Sequence, residues 1–146
     1  YKPNTTVACV IEAQGQFLLV EELIEGELKY NQPAGHLEPH ESILAACIRE
    51  VKEETGLRIK PQGLVGIYHF SASDSLAFVR YTFHLKLDQV KLSTPEDPAI
   101  IGLKWYSFAE IKALSNQLRS PLVIKSISDY LAGKNYDLSI INDDYF

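Results

Sequence analysis

Five glutamates fall within the 17 positions from 38 to 54, and three of them, Glu50, Glu53 and Glu54, fall within five. Like charges this close repel, raise one another's pKa values and weaken a helix that carries them unless cations compensate. At about 100° per residue, spacings of i, i+3 and i+4 put the three carboxylates on one helical face. Hard oxygen ligands gathered in this way suit Mg²⁺, with Mn²⁺ as a substitute. A second reading needs no metal: a solvated acidic face balanced by Arg49, Lys52 and Arg58. On residue types alone the solvated face is the commoner outcome.

The elements that must position these residues follow from pattern. TVACVIEA (6–13) and QFLLVEEL (16–23) read as strands joined by a tight Gln14-Gly15 turn. Residues 29–34 form a short extended piece ending in Pro33-Ala34-Gly35. Residues 42–55 read as a helix whose apolar stripe is Leu44, Cys47, Ile48 and Val51. Strands are expected near 58–70, 78–87 and 102–106. Ser107-Phe108-Ala109-Glu110 is a capping box that starts a helix running to about Leu114. Ser120-Pro121 reads as an N-cap followed by proline at the first helical position, and that last helix reaches about Ala132, with Gly133 as its stop. Strands, helix, strands, helix, helix predicts an α+β chain, an α/β/α sandwich, with residues 1–146 as one domain.

Composition narrows the functions available. The chain has 146 residues, 46% hydrophobic and 23% charged, enough for one core. A formal charge of −5 gives no general attraction to nucleic acid polymers or anionic membranes. An anionic substrate would need a local positive charge, which a bound cation supplies. There is no run of about 18 apolar residues to cross a membrane, and the start YKPNTTVACV lacks the basic region and cleavage site of a signal peptide. Cys9 and Cys47 lie in apolar contexts without CxxC spacing and read as buried free thiols of a cytoplasmic protein. No repeat, low-complexity tract or linker is present.

Together with its flanks, the acidic cluster fits a longer pattern: Gly35, five residues, Glu41, seven residues, then REVKEETGL at 49–57. At all nine fixed or class-restricted positions this resembles GX5EX7REUXEEXGU, the signature of the Nudix hydrolases, where U is a bulky apolar residue. The resemblance implies a mixed sheet between helices, with the signature as a loop–helix–loop. It also implies metal-dependent hydrolysis of a diphosphate linked to another group. Glu50 and Glu54 become the principal metal ligands, and Glu53 a further ligand or the base that takes a proton from water. Glu41 would assist an outer metal, Arg49 would orient a signature carboxylate through a charge-assisted pair, and a carbonyl near Gly35 would complete the metal shell. Gly56 would end the helix, and Glu38 occupies a variable position.

NQPAGHLE departs from the commoner family form, in which two glycines follow the proline; here Ala34 and Gly35 follow Pro33. With LRSPLV at 118–123, it is similar to a bacterial subgroup, the NudJ-type phosphatases. Members of that subgroup act on nucleoside di- and triphosphates and on hydroxymethylpyrimidine diphosphate, releasing orthophosphate. Substrate contacts are expected from Arg80 in a strand, from His36, and from Arg119 before a helix N-terminus, where backbone N–H groups favour anions. Glu96, preferred to Asp97, lies in the loop STPEDPAI, from which family members supply an extra acid. Each has an ordinary alternative as a cross-strand partner, a surface charge or a solvated loop acid. Tyr30, Tyr68 and Phe78 are candidates to stack on a base, although aromatics in strands are more often core. The expected partner is a small-molecule nucleotide or diphosphate, with the chain a monomer or homodimer. Other readings are an ADP-ribose or dinucleoside polyphosphate pyrophosphatase and a non-catalytic nucleotide sensor. The intact signature weighs against the sensor, and the acidic charge against long RNA.

Overall fold

The computed structural model describes all 146 residues, Tyr1–Phe146. Its strands are β1 (Asn4–Ala13), β2 (Gln16–Ile24), β3 (Glu27–Asn31), β4 (Ala34–His36), β5 (Gly63–Ser71), β6 (Ala77–Leu87) and β7 (Ile100–Ser107). They form one sheet in the order β3-β2-β1-β6-β5, with β4 paired to β1 and β7 to β2. β1 and β6 run parallel and the other pairs antiparallel, so the sheet is mixed. Gln14-Gly15, at φ 52° and 77°, makes the expected turn between β1 and β2. Glu25-Gly26, at φ 53° and 80°, repeats it between β2 and β3, a second hairpin not anticipated from the sequence. β1 meets β2 only at Glu12–Phe17 and Ala13–Gln16. Beyond that the two strands part, and β4 takes the place beside Thr6, Val7 and Ala8.

Three helices cover the two faces: α1 (Ile43–Thr55), α2 (Phe108–Ala113) and α3 (Leu122–Leu131). Alternate residues of β1 point to opposite faces. Val7, Cys9 and Ile11 pack with Cys47 and Val51 of α1. Val10 packs with Ile111 of α2 and with Val123 and Ile127 of α3. The result is the α/β/α sandwich.

Local signals hold well at the helix ends. Ser42 caps α1, its Oγ accepting the Ala45 N–H at 3.1 Å. Gly56, at φ 77°, closes the helix with its N–H on the Lys52 carbonyl at 2.8 Å. The Ser107–Glu110 capping box is present. α3 starts at Leu122, one residue later than expected, so Pro121 rather than Ser120 takes the cap position, although the Ser120 hydroxyl still accepts the Leu122 N–H at 3.1 Å.

Two expectations need correction, and one element was not anticipated. The strand placed near 58–70 begins only at Gly63; the segment before it contains Pro61, which has no N–H to give a ladder. A short 3-10 turn, Leu138–Ile140, lies beyond α3, and Tyr136 ahead of it bridges to Leu64 on β5. The buried side of α1 comprises Ala46, Cys47, Val51, Glu54 and Thr55, whereas Leu44 and Ile48 are only partly covered. This rotation of α1 carries Glu54 inward. No helix is long and apolar enough to cross a membrane.

Candidate active site

Arg49 is the hub of the acidic cluster. Its Nε and Nη2 donate to the two oxygens of Glu41 at 2.9 and 2.7 Å, a bidentate pair. Its Nη1 donates to Glu50 at 2.7 Å and to Glu53 at 3.2 Å, and Nη2 also reaches the His36 carbonyl at 3.0 Å. Glu41 in turn accepts the Glu38 N–H at 2.8 Å. One side chain therefore ties the loop after β4 to two turns of α1. The Arg49 guanidinium holds the Glu41 carboxyl below its ordinary pKa.

Glu54 lies deeper and is only 6% exposed. Burial pushes its pKa up to about 8, opposed by the Ala34 N–H that it accepts at 2.8 Å, and raised further by the charges of Glu50, Glu22 and Asp97. Burial also raises Glu50, against the pull of Arg49. Gly35 lies against the Glu50 carboxylate, and a Cβ there would occupy the same space. β4 thus touches two signature glutamates, one through the Ala34 N–H and one through the bare Gly35 Cα.

No three carboxylates converge at metal-ligand distance here, because Arg49 stands among Glu41, Glu50 and Glu53. The donor chemistry nonetheless fits a hard divalent cation. The ligands are oxygens, and the charges bearing on buried Glu54 are mainly negative. Glu50, Glu54 and the backbone beside Gly35 are the groups that could hold it, with Glu53 at the outer rim.

Two arginines share a cavity of about 190 Å³ lined by Asn31, Phe70, Leu76, Phe78, Arg80 and Arg119, among others. Arg80 on β6 donates through Nε to Thr6 at 3.2 Å. Burial lowers its pKa, Arg119 lowers it further, and Glu54 opposes both. Arg119 is held by Glu22 at 2.8 Å, and its N–H bonds the Tyr30 carbonyl at 2.9 Å.

His36 is exposed, its ring 6.4 Å from that of Phe78. Glu96 pairs with Lys52 at 3.5 Å, and the loop acid whose charge bears on Glu54 is Asp97. The N–H groups of Glu96 and Asp97 both bond the Glu53 carbonyl, at 2.8 and 2.9 Å, which pins this loop to the end of α1. Among the candidate aromatics, Tyr30 packs edge-on to Tyr106 in the core, and Tyr68 gives its hydroxyl to Asp129. Phe78 lines the cavity. Sequence reasoning passed over Glu22, Asn31 and Phe70. Nothing in their local context distinguishes them from ordinary strand residues.

The sequence model of the NUDIX domain matches residues 1–125. The chain belongs to the Nudix family. This Nudix chain is 45% identical over 143 residues to Phosphatase NudJ of Escherichia coli O1:K1 / APEC, covering 98% of this chain and 93% of that protein. A NudJ phosphatase of Shigella flexneri matches to the same extent. In structure it is similar to a NUDIX hydrolase from Nitrosomonas europaea, with TM-score 0.89 and 47% identity over 99% of this chain and 98% of that one. The NUDIX domain of Shewanella oneidensis NrtR, complexed with ADP ribose, shares the fold at TM-score 0.73 and 15% identity, covering 90% of each chain. The chain is thus a Nudix hydrolase similar to the NudJ phosphatases, in a family that generally uses divalent metal ions.

Proposed function

We propose that this hydrolase cleaves phosphoanhydride bonds of nucleoside tri- and diphosphates and of related small diphosphates such as hydroxymethylpyrimidine diphosphate, with Mg²⁺, releasing orthophosphate. The observation that carries this reading is Arg80, anchored to Thr6 on β1 and lining one cavity with Arg119. The signature supplies acids suited to a cation, and Arg80 and Arg119 supply guanidinium groups suited to phosphate oxygens. Residues 1–146 would act as one domain on a small anion, and two buried free thiols suit a reducing compartment such as the cytoplasm.

Glu50, Glu54 and the backbone beside Gly35 would hold Mg²⁺. When bound there, the ion would neutralise phosphate charge and lower the pKa of a water. Arg49 keeps Glu50 and Glu53 aligned. Arg80 and Arg119 bind the diphosphate oxygens and stabilise the charge that develops on them. Water attacks the terminal phosphorus, the bond from that phosphorus to the bridging oxygen breaks, and the Glu53 carboxylate takes the water's proton. The products are orthophosphate and a substrate one phosphate shorter.

The test is product identity with Mg²⁺ on GTP, GDP, hydroxymethylpyrimidine diphosphate, ADP-ribose and a dinucleoside tetraphosphate, with orthophosphate and pyrophosphate assayed separately. Orthophosphate from GTP and GDP, or from the pyrimidine diphosphate, is the expected result. Pyrophosphate with a nucleoside monophosphate, or cleavage of ADP-ribose or the dinucleotide alone, would overturn the substrate assignment.

A further inference from the structure

Four side-chain polar atoms are shut away from solvent without a hydrogen-bond partner, Asn31 Oδ1, Gln32 Oε1, Arg80 Nη1 and Thr82 Oγ1, and the side chains of Asn31 and Arg80 line the same cavity. A buried polar atom left unpaired carries an energetic penalty and asks for an explanation. Arg80 already has one as a phosphate contact. Asn31 does not. It ends β3, where its backbone is fixed opposite Val20 on β2, so its side chain stands on a rigid element. Its neighbour Gln32 is 1% exposed and donates through Nε2 to Ser126 of α3 at 2.8 Å, joining sheet and helix, while its own Oε1 is unpaired and lines no part of this cavity. Asn31 is only partly buried and faces the cavity instead.

The rest of the lining says what the amide meets. Phe70 and Phe78 are directly paired across β5 and β6, so both rings stand on one face of the sheet as an apolar wall. Arg80 and Arg119 bring positive charge to the same space. An apolar wall, a polar amide and two cations together suit a planar nitrogen heterocycle joined to phosphate. A cavity of about 190 Å³ is smaller than the roughly 300 Å³ where most small-molecule pockets begin, so it takes one ring rather than a dinucleotide.

We infer that Asn31 is a specificity-determining residue whose side-chain amide, one acceptor and two donors, pairs with the donor–acceptor edge of a heterocycle seated against Phe70 and Phe78. The inference rests on the proposed diphosphate hydrolysis for the position of the phosphates.

The test uses Asn31→Leu, with the same branched heavy-atom shape but unable to hydrogen-bond, and Asn31→Asp, which keeps acceptors and loses donors. Two quantities are read: kcat/KM with Mg²⁺ for CDP, UDP and the ringless methyl diphosphate, and Kd for CMP and UMP by calorimetry without metal. In Asn31→Leu, the CDP to methyl diphosphate ratio of kcat/KM should fall about tenfold or more, through KM, and CMP should bind more weakly by a similar factor. In Asn31→Asp, the preference should shift toward CDP over UDP, because a carboxylate accepts from the cytosine amine and repels the uracil carbonyl. Equal losses on ring-bearing and ringless substrates, or an unchanged CMP Kd, would overturn the inference. If Asn31→Leu fails to fold, the shift in Asn31→Asp decides alone. Should the wild type hydrolyse none of these diphosphates, nor GTP, GDP or hydroxymethylpyrimidine diphosphate, the proposed function falls, while the monophosphate binding still decides the role of Asn31.

Discussion

Arg49 donates to three glutamates and a carbonyl at once, a fork that the point charge of a lysine cannot reproduce. Arg49→Lys should therefore lower kcat about tenfold or more and raise the Mg²⁺ concentration needed for half-maximal activity, as read by metal titration of turnover. Glu53 and Glu54 act on the chemistry more directly in the proposed mechanism. Glu53→Gln or Glu54→Gln should each reduce kcat by about two orders of magnitude, the scale of losing a positioned base or an electrostatic stabiliser. Near-wild-type turnover in both variants, with circular dichroism unchanged, would remove that mechanism. The same residues show what sequence alone could read. The spacing of Glu50, Glu53 and Glu54 named the cluster, but not that Glu54 would be buried while Glu53 stays at the rim.

At the scale of elements, β4 and α1 meet through two backbone positions, the Ala34 N–H on Glu54 and the bare Gly35 Cα against Glu50. Gly35→Ala would press a methyl group onto the Glu50 carboxylate, the movable end of a side chain. The fold should survive with a melting temperature close to wild type, and Mg²⁺-dependent turnover should drop sharply as Glu50 is displaced. Gly56 contrasts with it. Its φ of 77° disfavours any L side chain, and a Cβ there would meet the Thr94 carbonyl, which is backbone. Gly56→Ala should destabilise by more than about 1 kcal/mol, measured by denaturant unfolding. Caps were legible before the fold was known, because the Ser42 and Ser107 hydroxyls reach N–H groups only three residues ahead. The start of β5 was not, since apolar residues after 58 gave no sign of where pairing with β6 would begin.

Across the whole molecule, Asp129 of α3 fastens that helix to β5. It accepts the Tyr68 hydroxyl at 2.7 Å and pairs with Lys125 at 3.0 Å and Lys134 at 3.5 Å. Burial alone would raise its pKa, but the Tyr68 hydroxyl and Lys125 outweigh it and hold the carboxyl below its ordinary value. A depressed folded pKa gives stability that is present above the unfolded pKa and lost as pH falls through the folded one. The melting-temperature gap between wild type and Asp129→Asn should therefore be wide at pH 7 and close as pH drops below about 4. A gap independent of pH would show that shape, not charge, fastens α3.

What the sequence by itself determined is local: the exact spacing from Gly35 to Leu57, the Gln14-Gly15 turn, the caps at Ser42 and Ser107, and through them the family and the order of elements. Each of these depends on residues within a few positions or on a fixed pattern. Only the tertiary structure decided that Asp97 rather than Glu96 bears on Glu54, that α1 turns Glu54 inward, and that Asn31, Phe70, Arg80 and Arg119 share one cavity. Those residues come from β3, β5, β6 and the approach to α3. They meet because parallel pairing of β1 with β6 places Thr6 beside Arg80, 74 positions apart in the chain, and no local propensity encodes a register across that distance.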